Sequence, residues 1–290
     1  MPERAWKYAG LTAVLVAAGA LALFGFRSGM AAPTTGPLLA QKKTIDVDVE
    51  LVLAVDISYS MDPDEQALQR EGYIQALTSV EFMRALREGG HAKIAVTYFE
   101  WAGSDNQRVI VPWRIIDGPE TADAFAAEIA RAPYRRASRT SVSGAILYGM
   151  ELLDRSPHRG VRRVIDVSGD GTNNMGMIVT QARDMAIEKG ITINGLPVMV
   201  KRPNFSTLDI NDLDIYFEDC VVGGPASFVI PIKEREQFKS ATRTKLILEV
   251  AGRTPEPRIV PASAEAPRVN CLIGERQWQQ RWGGGGIDGR

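Results

Sequence analysis

The 290-residue chain is short of several things, and each shortage removes a class of function. It has only two histidines, His91 and His158, both in polar turn segments, which leaves little for histidine-based acid–base catalysis or a His-rich metal site. Two cysteines are too few for a disulfide-dense scaffold or a four-cysteine zinc module. Charge of one sign is also missing. The 34 Lys+Arg residues nearly balance 35 Asp+Glu, for a net charge of −1, and a dedicated nucleic-acid binder would carry a basic excess. There is one long apolar run, so the chain is not a polytopic transporter. No P-loop, G-x-S-x-G elbow or H-E-x-x-H motif occurs, and the chain reads as a non-enzyme. Apolar material itself is plentiful: 45% hydrophobic residues suffice for a sizeable core.

The long apolar run is at the start. Arg4 and Lys7 precede it, residues 8–26 form it, Arg27 follows, and small residues occupy 28–32. This is the layout of a secretory signal, with cleavage near Ala31, Ala32 or Ala40. The run is also close to the about 20 residues that span a bilayer, so an uncleaved inner-membrane anchor is the alternative. Both readings place the remaining chain outside the cytoplasm, in the periplasm or secreted. Residues 1–40 are therefore read as signal or anchor with a linker, 45–252 as the domain and 253–290 as a Pro/Gly-rich tail, a partly ordered appendage.

Within 45–252, strands and helices alternate. Residues 50–58 are almost continuously apolar, as in a strand buried on both faces of a parallel sheet. Further strands are expected at 93–101, 108–116, 161–168, 191–198 and 228–232. Helices are expected at 64–77, 80–88, 122–130, 141–155, 179–188 and 237–250. The short connection at 103–107 predicts one antiparallel pair at the sheet edge. The expectation is an α/β fold: a doubly wound, mostly parallel six-stranded sheet flanked by helices, Rossmann-like, with its ligand site at the carboxyl ends of the strands.

At those ends lies an oxygen-rich pattern that packing does not require. The first strand runs into Asp56, Ser58 and Ser60, spaced by two so that the side chains face one way. Thr140 opens the helix at 141–155, and Asp170 follows the strand at 161–168 between Gly169 and Gly171, which permit a tight turn. Hydroxyl and carboxylate oxygens with few charges suit a hard divalent cation. Without a cation, Ser58 and Ser60 would merely cap a helix and Asp170 make a turn.

D-x-S-x-S after a first strand, a Thr opening a later helix and an Asp in S-G-D-G after the next strand resemble the von Willebrand factor type A (VWA) domain and its metal-ion-dependent adhesion site, MIDAS. The stretches LQREGY (68–73), YFEWAG (98–103), RTSVSGAI (139–146), VIDVSGDGTNN (164–174) and DCVVGGPASFV (219–229) resemble, more narrowly, a bacterial family of secreted VWA-like proteins of unknown function. The resemblance implies that Ser58, Ser60 and Thr140 offer hydroxyl ligands and that Asp56 and Asp170 hold the ion directly or through water. Mg2+ is the expected ion, with Mn2+ and Ca2+ as alternatives. It also implies a protein-interaction module whose partner presents an Asp or Glu carboxylate, with no nucleic acid and no membrane beyond the N-terminal segment. The competing readings are an Mg2+-dependent hydrolase and an envelope structural protein whose metal only stabilises the fold.

Several residues are left with two readings. Arg131, Arg135, Arg136 and Arg139 precede Thr140 and either draw an acidic partner or form a solvated loop. Glu100 and Trp101 end the second strand and are expected near the metal face, Trp101 as an interface anchor or as core. Cys220 and Cys271 are either paired, as an oxidising compartment permits, or free. Asp166 lies inside an apolar strand and needs a partner that the sequence does not name.

Overall fold

The computed structural model describes residues 44–200, 210–252 and 267–282. The expected signal or anchor at 1–40 and nearly all of the proline-rich connector at 253–267 lie outside the described residues. Among the described residues no helix is long and apolar enough to cross a membrane.

Five strands form one sheet: β1 (Ile45–Asp56), β2 (Ile94–Trp101), β3 (Gln107–Ile116), β4 (His158–Gly169) and β5 (Ile191–Pro197), in the order β3-β2-β1-β4-β5. β2, β1, β4 and β5 are parallel, and β3 pairs antiparallel with β2 at the edge, where Pro112 is tolerated. β1 is the centre. Its apolar residues alternate between two cores: Val49, Leu51, Leu53 and Val55 face one side, Val52 and Ala54 the other. α1 (Pro63–Leu77), α2 (Val80–Arg87), α3 (Pro119–Arg131) and α7 (Phe238–Ala251) cover the first side. α4 (Val142–Asp154), α5 (Val179–Glu188) and a short helix α6 (Leu213–Tyr216), continued by a π-helical turn over Phe217–Val221, cover the second.

The local start signals are read directly from the residues. Asp62 and Glu65 form a reciprocal capping box with Pro63 in the first turn of α1. Ser141 caps α4 by accepting from Gly144 N at 3.1 Å.

The expected sixth strand is not a complete one. Residues 228–232 run beside β5 and pair with it only at two isolated parallel bridges, Gly195 with Val229 and Val198 with Ile232. Pro197 lies between the bridges and has no N–H to donate, so the ladder is interrupted there. Within the tail, residues 273–282 form a helix, α8 (Ile273–Trp282), and of the two readings for Cys220 and Cys271 the paired one holds: they are joined by a disulfide.

The partner of Asp166 is Lys245 on α7, and both are fully buried. Lys245 Nζ also donates to Glu249 Oε1 at 2.6 Å, Tyr73 OH donates to Asp166 Oδ2 at 3.3 Å, and Asn194 Nδ2 donates to Glu249 Oε1 at 3.3 Å. Arg162 reaches the backbone carbonyls of Glu249 and Val250. Two carboxylates thus share one ammonium in a dry interior. Burial, then the neighbouring Asp166 charge, pushes Glu249 up to about 7, and burial also raises Asp166.

The folded state therefore holds a proton on Glu249 more tightly than the unfolded chain. This contribution to stability is complete below the unfolded carboxylate value and is lost as pH rises through about 7. Glu249→Gln mimics the protonated acid. It is expected to flatten the fall in Tm between acid and mildly alkaline pH, and to raise Tm above pH 7 by about 2–4 °C per kcal/mol recovered, read by pH-resolved thermal unfolding.

Candidate functional site

The winding direction reverses around β1: α1 and α2 lead to β2 on one side, while α4 leads into β4 on the other. Such a switch point opens a crevice at the carboxyl ends of the strands. Asp56 ends β1 there, Gly169 ends β4, and Thr140 immediately precedes α4 and its N-cap.

Backbone hydrogen bonds stitch the three segments together. Tyr59 N donates to Ala137 O and Ala137 N to Ile57 O, at 2.9 and 3.1 Å. Asn174 N donates to Thr140 O at 2.9 Å, and Thr140 N returns a bond to Asn174 Oδ1 at 3.0 Å. Within this frame Ser58 N donates to Asp56 Oδ1 at 2.7 Å, the Ser58 and Ser60 hydroxyls lie 2.8 Å apart, and Ser60 Oγ donates to Asp170 Oδ1 at 2.6 Å. A Cβ on Gly171 would stand 3.6 Å from Thr140 Oγ1 and 4.0 Å from Ser60 Oγ, so Thr140 and Ser60 border the same glycine. Of the five sequence-predicted residues, Ser58, Ser60 and Thr140 line one cleft of about 330 Å³, Asp170 is hydrogen-bonded to Ser60, and the buried Asp56 accepts from Ser58 N.

The electrostatics of the cluster are unusual. Asp56 is fully buried, and its Oδ2 has no hydrogen-bond partner. Burial pushes its carboxyl up to about 7, against the Ser58 backbone and hydroxyl groups and the Asp170 backbone N–H, which act to lower it. Gly169 is obligatory beside it, since a Cβ there would come within 2.9 Å of Asp56 Oδ2. The donor set is entirely oxygen, hydroxyl-rich with two carboxylates, which fits a hard divalent cation. Among the described residues no group of three or more His, Cys, Asp and Glu side chains is placed to hold a metal.

Of the two readings for Trp101, the core one holds: Trp101 is fully buried, as is Tyr98 on the same strand. Glu100 does not reach the cleft. In the sheet register it lies opposite Val55 and Trp101 lies opposite Asp56, so Glu100 points to the α1 side and pairs with buried Arg70. Arg70 also donates to Ala132 O at 2.6 Å and lies under Tyr134, anchoring the arginine-rich loop from below.

Three contributors were not anticipated from the sequence. Asn173 Oδ1 accepts from Ser143 N at 3.0 Å, and its amide donates to Glu275 Oε1 on α8 at 2.7 Å. Asn174 fixes Thr140 as above. Trp278 of α8 lines the cleft together with Arg139.

A doubly wound parallel sheet with one antiparallel edge, and an oxygen cluster at its switch point, is the VWA fold. Solved structures sharing it include the pilus adhesin SpaC from Lactobacillus rhamnosus GG, with a TM-score of 0.52, 11% identity and coverage of 70% of this chain and 31% of that one. Proximal thread matrix protein 1 from the mussel byssus, with a zinc-occupied MIDAS motif, gives a TM-score of 0.50 at 13% identity, covering 70% and 46%. A von Willebrand factor type A protein from Catenulispora acidiphila gives 0.47 at 13% identity, covering 71% and 43%. The chain thus spans less than half the length of each of these three structures. Residues 46–254 match the family described as protein of unknown function (DUF1194), and the chain belongs to that family. No curated protein matches it.

The asparagine ties give a direct expectation. Asn173→Ala strands the buried Ser143 N–H and frees Glu275, so unfolding free energy should fall by about 1–3 kcal/mol. Hydrogen exchange should rise in residues 273–282 ahead of the rest of the domain.

Proposed function

We propose that the chain is an exported, non-enzymatic protein-interaction module that takes an acidic group of its partner at a MIDAS-type site. Ser58, Ser60 and Thr140 would hold a divalent cation by their hydroxyls, with Asp56 and Asp170 directly or through water, and Mg2+ is the expected ion. When bound, the ion supplies a positive, ligand-exchanging position for a partner's Asp or Glu carboxylate. The observation that carries this reading is Asp56 Oδ2, buried without a partner next to the Ser58, Ser60 and Asp170 oxygens. A carboxylate oxygen left unsatisfied in a dry position costs stability, and a cation there would offset that cost.

The chain's own residues prepare the site. The short Ser58–Ser60–Asp170 chain of hydrogen bonds aligns three oxygens before any ligand arrives. The Asn174–Thr140 pair of bonds fixes the third segment, so little ordering is needed on binding. Placement outside the cytoplasm rests on the layout of residues 1–40 and is supported by the Cys220–Cys271 disulfide, which an oxidising compartment sustains.

The test is a thermal shift. With Mg2+ at about 100 times its Kd, linkage adds about 2.7 kcal/mol, or roughly 5–10 °C in Tm for a domain of this size. EDTA should reverse the gain, and Asp56→Ala should show none. A wild-type Tm indifferent to Mg2+, Mn2+ and Ca2+ at millimolar concentration contradicts the reading.

A further inference from the structure

Arg139 is the arginine that lines the cleft among the described residues. Of its loop neighbours, Arg136 is engaged: its Nη2 donates to Tyr59 O at 2.7 Å and it lies over the Tyr59 ring. Beneath the loop, Arg70 is paired with Glu100. Arg139 is half-buried, lines the cleft next to Thr140, and makes no ion pair or side-chain hydrogen bond among the described residues. Its backbone sits at φ +73°, the left-handed region that a non-glycine residue occupies only under constraint.

What holds it is Trp278. The Arg139 guanidinium carbon lies 3.3 Å from the centroid of the Trp278 ring. With its face taken by the indole, the guanidinium has only its edge N–H groups to offer, a planar fork that matches the two oxygens of a carboxylate. α8 is built to keep Trp278 there. The Cys220–Cys271 disulfide ties down its approach, Glu275 is held by Asn173, and Gly274 sits so close to the Asp170-bearing loop that a Cβ would meet Asn173 O at 2.1 Å. Trp278 and Trp282 stack, with centroids 5.7 Å apart. This helix lies beyond residues 46–254, the stretch matched by the family, so it adds a wall to the cleft from outside that stretch.

We infer that Arg139 is a second contact for the partner's carboxylate, gripping it from the cleft wall while the cation site engages it from the floor, and that Trp278 is the residue that positions Arg139. The ligand class is an Asp or Glu side chain on an exposed peptide segment. The inference rests on the cation reading above.

The probe is N-acetyl-aspartate methylamide, titrated into the 15N-labelled full chain with Mg2+ or with EDTA. The Arg139 Nε–H and Trp278 indole N–H resonances are followed, and Mn2+ affinity is measured separately. The wild type should bind the probe with both resonances moving, and more weakly in EDTA. Arg139→Gln should weaken the probe roughly 10- to 100-fold, the range of a charge-assisted hydrogen-bonded pair, while Mn2+ affinity stays equal or tightens because a nearby cation is gone. Trp278→Leu should weaken the probe, and Trp278→Phe should retain most of the affinity, a difference that mere folding support would not produce. Probe affinity in Arg139→Gln within about twofold of wild type overturns the role of Arg139 and leaves the cation reading standing. Probe affinity in the wild type that is equal with Mg2+ and EDTA overturns the cation reading and the two-point contact with it.

Discussion

A single buried carboxylate with one oxygen unanswered governs this fold's working end. Asp56 closes the central strand, flanked by β2 and β4, fully out of solvent. Neither neighbouring strand supplies Oδ2 with a donor. A buried carboxylate oxygen without a donor costs stability, and a cation beside it would offset that cost. The loops at 57–61, 132–140 and 170–174 are hydrogen-bonded to one another beside that strand end, and Ser58, Ser60 and Thr140 from them line a cleft.

The rest of the molecule makes that position rigid. The sheet separates two cores, and β1 feeds both by simple alternation. On the α1 side, polar groups are paired inside the structure: Arg70 with Glu100, Lys245 with Asp166 and Glu249. These buried pairs add fixed polar crosslinks between helices and sheet, so α1 and α7 have little freedom to slide. On the α4 side the Asn173 and Asn174 amides join the Asp170 loop to the start of α4 and to α8. The disulfide then makes the C-terminal helix a wall of the site.

Much of this was legible in the residues. Strand alternation, helix spacing and Gly/Pro punctuation are local signals, and they located every strand of the sheet and most of the helices. The five oxygen-bearing positions were legible because D-x-S-x-S, the Thr before a helix and the Asp between glycines each stand against the needs of packing. The misses are tertiary. Lys245 reads as a solvated helix residue until α7 lies on the sheet. Glu100 and Asp56 both end strands, and only the register shows that they point to opposite faces. Residues 228–232 have strand composition, yet Pro197 on the neighbouring strand, far away in sequence, breaks their pairing. The tail's tryptophans carry no helical periodicity strong enough to announce a helix docked through a disulfide and a single glycine contact.

The claim at the centre is that oxygens from three separated segments hold one divalent ion. Counting bound Mn2+ by electron paramagnetic resonance, in wild type and in Asp170→Ala, tests it most directly. The account predicts one tightly bound ion per wild-type chain, displaced by excess Mg2+, and none retained by Asp170→Ala. A wild type that binds no ion, or an Asp170→Ala chain that binds it with undiminished affinity, would contradict it.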